Sequence, residues 1–418
     1  MQIFTEEQAE GFSFDVLDAT KLIPEELVPV MPVGKMVLNR NPDNFFAETE
    51  QVAFCTAHIV PGLDFSNDPL LAGRIHSYVD TQISRLGGPN FHEIPINAPV
   101  AQVHNNQRDG MHRQAIPRGR VSYEPNSLGG GCPFQAGARG FTSFPERISE
   151  DKVRGKADRF AEHYAQATLF WNSQTSIEKA HILRAFRFEL TKVQTPAVRQ
   201  RVVAMLANVA DDLAQTLASE LGLEMPKPLP KSIRKSPTPE VQSSAKLSLS
   251  ARPGDRRIQT RKVAIMVANG VSGAFVTAAQ AALLQLGAVP RIVGLRLGAV
   301  ESEEGGVLGV DATLETTPAV LYDGVIVPGG RLAAQILGNA GQAAEFIADQ
   351  YRHCKPILAV GEGCGVVENA GAPARLLTGE PDPGLLLFPD AADDAIAGFV
   401  EALAQHRHFA RAMDPSPV

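Results

Sequence analysis

The sequence predicts an α+β region followed by a separate α/β domain. Three observations carry that division. Apolar residues recur at helical intervals over 151–224. A stretch from Pro226 to about Asp255, rich in Pro, Ser and Lys, has no apolar period and reads as a linker. Beyond it, short apolar runs alternate with helical segments, the pattern of an open parallel sheet. With 418 residues, 44% of them hydrophobic, the chain is long enough for two or more cores.

In chain order, Gly34 to Asn39 and Glu50 to Thr56 are β-like apolar runs separated by a turn at Asn41-Pro42-Asp43-Asn44. Between 58 and about 150 one helix is expected. Asn67 and Asp68 offer cap oxygens, Pro69 suits the first turn, and Gly87-Gly88-Pro89 forbids continuation. The rest of that stretch is irregular, as at Pro117-Arg118-Gly119 and Gly129-Gly130-Gly131. Phe160, His163, Leu169, Phe170, Trp171, Ile182, Leu183, Phe186 and Phe188 are read as helical core, continued by Val203, Leu206, Val209, Leu213 and Leu217. Trp171 is the packing anchor of that core. In the last domain Lys262 to Ala268, Arg291 to Leu295, Asp323 to Val327 and Pro356 to Val360 are strands, with a helix from Phe275 to Leu286.

A net charge of −7 and a pI near 5.8 argue against nucleic acid or an anionic membrane surface as partner. No apolar run reaches the roughly 18 residues of a membrane span, and no basic and apolar leader follows Met1. The chain reads as soluble and cytoplasmic. Cys55, Cys132, Cys354 and Cys364 have no metal-binding spacing and read as free thiols. His58, His76, His92, His104 and His112 form no i, i+4 pair or short ligand loop, so no zinc site is assigned.

The chemistry is concentrated on the helix around Arg74 and Tyr78. Residues four apart share a helix face, so Arg74 can lay its charge beside the Tyr78 phenol and favour the phenolate, a ligand for ferric iron. At about 100° per residue, Arg74, Tyr78, Gln82, Thr81 and Arg85 cluster beside an apolar stripe of Leu71, Ile75, Val79, Ile83 and Leu86. An Arg/Tyr pair at this spacing also occurs on ordinary solvated helix edges, and spacing alone does not separate the two readings.

Together with that helix, the segments Val33 to Glu48, His58 to Asp68, Ser84 to Asn97 and Gln107 to Arg113 resemble the large-subunit monofunctional haem catalases. The resemblance implies a partial antiparallel β-barrel at 1–57, a haem-proximal helix and wrapping segment at 58–150, and a helical domain at 151–225. A linker at 226–258 then leads to a flavodoxin-like, class I amidotransferase-like domain at 259–414. It implies haem, b or d, whose iron is ligated by Tyr78 as phenolate, with Arg74 holding the charge. By the same resemblance Arg85 would meet a haem propionate, and Phe54, Ser77, Thr81 and Gln82 would line the proximal side. For Arg85 an ordinary surface charge is the alternative.

The implied activity is disproportionation of hydrogen peroxide, a protection against oxidative stress, in a homotetramer. His76 stands where the family commonly has phenylalanine. Cys55 stands where some members carry a histidine cross-linked to the tyrosine, so no such bond is expected. Ala98 and Gln102 replace an expected arginine and proline before His104-Asn105. The family's distal His, Ser and Asn belong to an N-terminal half, so no catalytic residue is assigned in this chain. Met1-Gln2-Ile3-Phe4 looks like the interior of a barrel strand. The chain is therefore expected to be a C-terminal portion, inactive alone, with a separate N-terminal catalase fragment as a partner.

The alternative is a non-enzymatic fragment whose amidotransferase-like domain has a structural or binding role. Related domains carry a cysteine on the turn after the strand at 356–360. Gly361 holds that place here, with Cys364 three residues on and no His/Glu pair evident to activate it. Asn269-Gly270-Val271-Ser272-Gly273 is a weak phosphate-loop candidate.

Overall fold

The structure is a computed structural model that describes every residue except 61, 101–109, 111, 117, 119–141, 146, 150, 152, 155–157, 234–235, 252–255 and 391–393. The expectations for Gln102, His104 and Cys132 lie outside the described residues. Two compact units divide the chain, unit 1 comprising 1–173 and 185–247 and unit 2 comprising 174–184 and 248–418.

Unit 1 opens with helix α1 (Glu6–Gly11), started by a capping box between Thr5 and Gln8. Met1 and Met31 exchange backbone hydrogen bonds of 2.9 and 2.8 Å. No strand forms within 1–57, which corrects the expected barrel runs. Residues 34–39 take up no regular structure, and Phe46–Glu50 forms a π-helical turn. The physical reason is pairing: a strand needs a neighbour to satisfy its backbone, and these runs have none. Val33, Met36, Val37, Leu38, Phe45 and Phe46 are consequently exposed.

Helix α2 (Pro69–Leu86) forms as its signals require. The Asp68 carboxylate accepts from the Leu70 N–H at 2.8 Å, Pro69 fills the first turn, and Gly87 ends the helix at φ 83°. Four further helices follow, α3 (Ala165–Ser173), α4 (Ser176–Lys192), which belongs to unit 2 up to residue 184, α5 (Pro196–Leu206) and α6 (Asp211–Glu220). Leu169, Trp171, Val203, Leu206, Leu213 and Leu217 are buried. The Trp171 indole N–H donates to Asp212 at 3.1 Å, so the anchor of the core is also pinned at its polar end. His163, Phe170 and Phe188 are exposed instead of core, and Phe188 lies under the Lys192 ammonium at 3.8 Å.

The stretch expected to be a linker is, up to residue 247, tied down within unit 1. Ser13 donates to Glu240 at 2.8 Å, Ser244 to Glu26 at 2.6 Å, and the Leu229 N–H to Ala204 at 3.0 Å. Its sequence lacks an apolar period because its contacts are made by single polar side chains and by the backbone.

Unit 2 is built on a parallel sheet. Its strands are β1 (Lys262–Met266), β2 (Val289–Gly294), β5 (Ala312–Thr313), β6 (Gly324–Val327), β7 (Ile357–Val360) and β8 (Leu385–Phe388), in the order β5-β2-β1-β6-β7-β8. Every pairing is parallel, with Ile265 opposite Ile292 on one side and Ile326 on the other. Strands covered on both faces must be apolar throughout, and β1, β6 and β7 read KVAIM, GVIV and ILAV. Helices α7 (Gly273–Gln285), α8 (Arg331–Gly338), α9 (Gly341–Arg352), α10 (Gly363–Asn369) and α11 (Ala395–Ala404) supply the crossovers and cover. Strands β3 (Gly298–Glu301) and β4 (Val307–Val310) form a separate antiparallel hairpin. The order reverses between β1 and β6, so the loops leaving their carboxyl ends flank the place where sheets of this kind take ligands.

Candidate functional site

The α2 periodicity brings Arg74 and Tyr78 together. The Arg74 guanidinium donates to the Tyr78 hydroxyl at 3.3 Å, and its carbon lies 5.2 Å from the Tyr78 ring centroid and 5.9 Å from that of Phe54. The Phe54 and Tyr78 rings meet edge-on, centroids 5.1 Å apart at 76°. One fixed positive charge therefore touches a phenol oxygen and two aromatic faces. Tyr78 is half-buried, while Phe54 remains 55% exposed. Ser77, Thr81 and His76 lie exposed on the same helix.

Arg85 and Gln82 hydrogen-bond the backbone of 50–54. Arg85 donates to the backbone carbonyls of Glu50, at 2.6 Å, and Val52, and to the Gln82 side-chain oxygen at 2.8 Å. Gln82, 4% exposed, donates in turn to the Phe54 carbonyl at 3.2 Å. Asn97 completes the set, accepting from Ala53 N–H at 2.8 Å and donating to Gln51 at 2.9 Å and Phe91 at 3.1 Å. Side chains thus satisfy the backbone of 50–54, the run expected to be a strand. Asn97 was given no role by its sequence context. Its signal was local, an Asn two residues after Pro95 in an irregular stretch, where a side-chain amide can replace a strand partner.

His58 packs beside the Phe91 ring, centroids 6.3 Å apart. His92 touches His58 edge-on at 6.0 Å, and burial holds its pKa below the usual histidine value. Glu93 pairs with Arg113 and accepts from the Gln114 N–H at 2.7 Å.

In unit 2, Gly361 occupies the sharp turn after β7 at φ 55°. Cys364 lies buried behind it, donating to the Ala359 carbonyl at 3.5 Å, and burial pushes its thiol pKa up. An accessible thiolate is the requirement for reactivity, and this cysteine meets neither condition. The loop from Asn269 to Ser272 carries no open phosphate cradle. Glu304 places its carboxylate on the N–H of Gly273 at 3.0 Å, where an anion would sit at the start of α7. Hydrogen bonds, chiefly from Ser302, hold Glu304 at a pKa of about 2. Across the seam Glu362 accepts from the Gly330 N–H at 3.1 Å. The Gly329 carbonyl accepts from the Ser272 N–H at 2.9 Å, so the β1 and β6 loops touch directly.

Comparison with known proteins gives three consecutive family matches. The catalase family matches residues 1–130, the catalase-related immune-responsive family 157–221, and the C-terminal domain found in long catalases 259–413. Catalase HPII of Pseudomonas aeruginosa is 45% identical over 417 residues, covering 98% of this chain and 57% of that protein. Catalase HPII of Pseudomonas putida is 46% identical over 419 residues, covering 98% and 56%. Catalase-2 of Bacillus subtilis is 42% identical over 416 residues, covering 98% and 58%. The chain therefore spans a little over half the length of the curated relatives it matches. With the three matches in order along its length, it carries a catalase domain and the C-terminal domain found in long catalases, and it is similar to the large, HPII-type catalases.

Proposed function

We propose that this chain supplies the tyrosine-bearing face of a haem catalase that disproportionates hydrogen peroxide to water and dioxygen. The observation that carries the reading is Arg74 on the Tyr78 hydroxyl, with Phe54 edge-on beside them. The residues present fit one face of a flat apolar ring. The phenol oxygen is a hard donor suited to ferric iron, the guanidinium beside it favours the anionic form, and the exposed Phe54 ring offers apolar contact. Tyr78 would hold the iron, Arg74 would keep the charge on its oxygen, and Ser77 and Thr81 would lie along the same helix. Bound haem, b or d, supplies a metal that one peroxide oxidises and a second reduces. Proton-handling groups on the opposite face are part of the same reading, contributed by residues other than these. So are assembly as a homotetramer and a cytoplasmic location. Among the described residues no helix is long and apolar enough to cross a membrane.

A second reading concerns unit 2. Setting the edge strand β5 aside, its order β2-β1-β6-β7-β8 is that of a flavodoxin-like sheet, which supports the kinship with class I amidotransferase-like domains. Its role is structural in this reading, because carboxylates of the chain itself occupy the anion positions at the switch point.

The test is titration of the full chain with hemin, comparing it with Tyr78→Phe. The expected result is a ferric spectrum with a phenolate-to-iron band in the parent, lost in Tyr78→Phe. Absence of hemin uptake by the parent chain overturns the haem reading and leaves the non-enzymatic one.

A further inference from the structure

We propose that unit 2 carries a binding site for a small phosphate-bearing anion at the amino ends of β1 and β6, built from Arg257, Gln259, Thr260 and Arg261. The inference goes beyond the haem reading and does not depend on it. The site lies at the end of the sheet opposite the touching β1 and β6 loops.

An open cleft of about 390 Å3 is lined by Arg257, Gln259, Thr260, Arg261 and Asp323. That volume is on the scale of small-molecule sites, and none of the five side chains is apolar, so the cleft suits a charged ligand. Its wall is shaped by one buried residue. Ile258, 5% exposed, anchors the segment in the core, while Arg257, Gln259 and Thr260 on either side of it are exposed. The Thr260 N–H donates to the Gly287 carbonyl at 2.7 Å and the Arg261 N–H to that of Ile258 at 3.0 Å, a turn that leads into β1. Asp323 stands just before β6 and accepts from the Lys262 N–H at 2.9 Å, which fixes the other wall.

Three guanidiniums and an imidazole share the cleft and its border with this one carboxylate. Arg261 lies 3.5 Å and His406 3.6 Å from Asp323, and the half-buried Arg407 acts electrostatically on both Asp323 and Arg261. Burial alone would raise the Asp323 pKa, but His406, the Lys262 N–H and Arg261 bring it to about 2. One carboxylate neutralises one cation, so the cluster keeps a positive excess in a chain whose net charge is −7. The donors match as well. The side chains of Gln259, Thr260 and Arg261 make no hydrogen bond to any described residue, so an amide, a hydroxyl and a planar guanidinium line the cleft with N–H and O–H groups to give. Phosphate oxygens are the acceptors that such a set satisfies.

Backbone strain marks the same place. Thr260 holds φ 68° and His406 φ 66°, left-handed values that residues with a side chain rarely adopt, β-branched ones least of all. Strain held by the surrounding structure gathers at ligand sites, and both residues flank Asp323. A bounded cleft on an acidic chain takes a small anion and not a polynucleotide.

The test is calorimetric titration of the full chain with inorganic pyrophosphate and with adenosine monophosphate, with citrate as a carboxylate control, at physiological ionic strength. Parent, Arg257→Gln, Arg261→Gln and Asp323→Asn are compared. The parent is expected to bind a phosphate compound at a single site and to prefer it to citrate, and each arginine variant to bind about tenfold more weakly. Asp323→Asn is expected to bind several-fold more tightly, because a competing negative charge is gone while an amide oxygen can still accept from Lys262. An ion pair with a merely structural role gives no such tightening. Arg257 is exposed, so Arg257→Gln reports on binding even where an Asp323 variant folds poorly. Stronger binding of adenosine monophosphate identifies an organic phosphate and stronger binding of pyrophosphate the free ion, and either supports the site. No heat of binding for either at millimolar concentration would overturn the proposal, as would citrate binding equally well and an affinity unchanged in Arg257→Gln.

Discussion

Arg411 and Asp382 form an ion pair with no solvent exposure on either side chain. A terminal guanidinium nitrogen of Arg411 donates to one carboxylate oxygen at 2.9 Å, and Nε lies 2.7 Å from the other without hydrogen-bond alignment. Arg411 also donates to the Lys355 carbonyl at 2.8 Å and stacks its guanidinium carbon 4.7 Å from the Tyr351 ring centroid. The pair binds the tail after α11 to the sheet. Removing one partner strands a buried charge, so Asp382→Ala is expected to destabilise unit 2 by about 3–5 kcal/mol. Urea unfolding of the full chain measures it, and a loss under about 1 kcal/mol would contradict the burial seen here.

Arg74→Leu removes the hydrogen bond to Tyr78 and the cation between two rings. Hemin affinity is expected to fall by roughly tenfold or more, and Arg74→Lys to recover part of it, since the charge survives but the planar stack does not. Equal affinities for parent and Arg74→Leu would detach this arginine from the site.

Glu178 gives unit 2 an acid limb. Burial alone would raise its pKa, but hydrogen bonds from Thr175, Ser248 and Ser250 outweigh it and bring the value to about 2. A depressed carboxylate pKa contributes stability that is complete above the unfolded value of 4.5 and is lost as pH falls from there towards 2. Unfolding free energy measured across that window is expected to decline less steeply in Glu178→Gln than in the parent. Parallel curves would show that the carboxylate is not the responsible group.

Burial raises the thiol pKa of both Cys354 and Cys364. Timed labelling with a thiol reagent should therefore reach neither in the native chain and both in denaturant, with partly exposed Cys55 modified earlier. Rapid native labelling of Cys364 would revive a thiol activity in unit 2.

The legible parts of the sequence were those whose physics is local. Caps and breakers bounded α2, and unbroken apolar runs gave β1, β6 and β7, because strands covered on both faces leave no choice of residue. The i, i+4 spacing placed Arg74 on Tyr78. What failed depended on distant partners. Glu50 to Thr56 has strand-like residues, but Arg85, Gln82 and Asn97 take its backbone groups. The β3–β4 hairpin, rich in Gly and Glu, gave no apolar alternation, and its use appears only where Glu304 reaches α7. Phe170 and Phe188 fit a helical stripe yet face outward, since period alone does not say which stripe meets a neighbour.

The seam between the β1 and β6 loops has a consequence for unit 2. A methyl carbon at residue 330 would stand 2.2 Å from the Gly270 carbonyl oxygen, and one at 363 would stand 2.4 Å from that of Val327. Main chain meets main chain at the spot where sheets of this order keep their guest. No side chain fits at either glycine, and the two halves of the sheet meet there through their backbones.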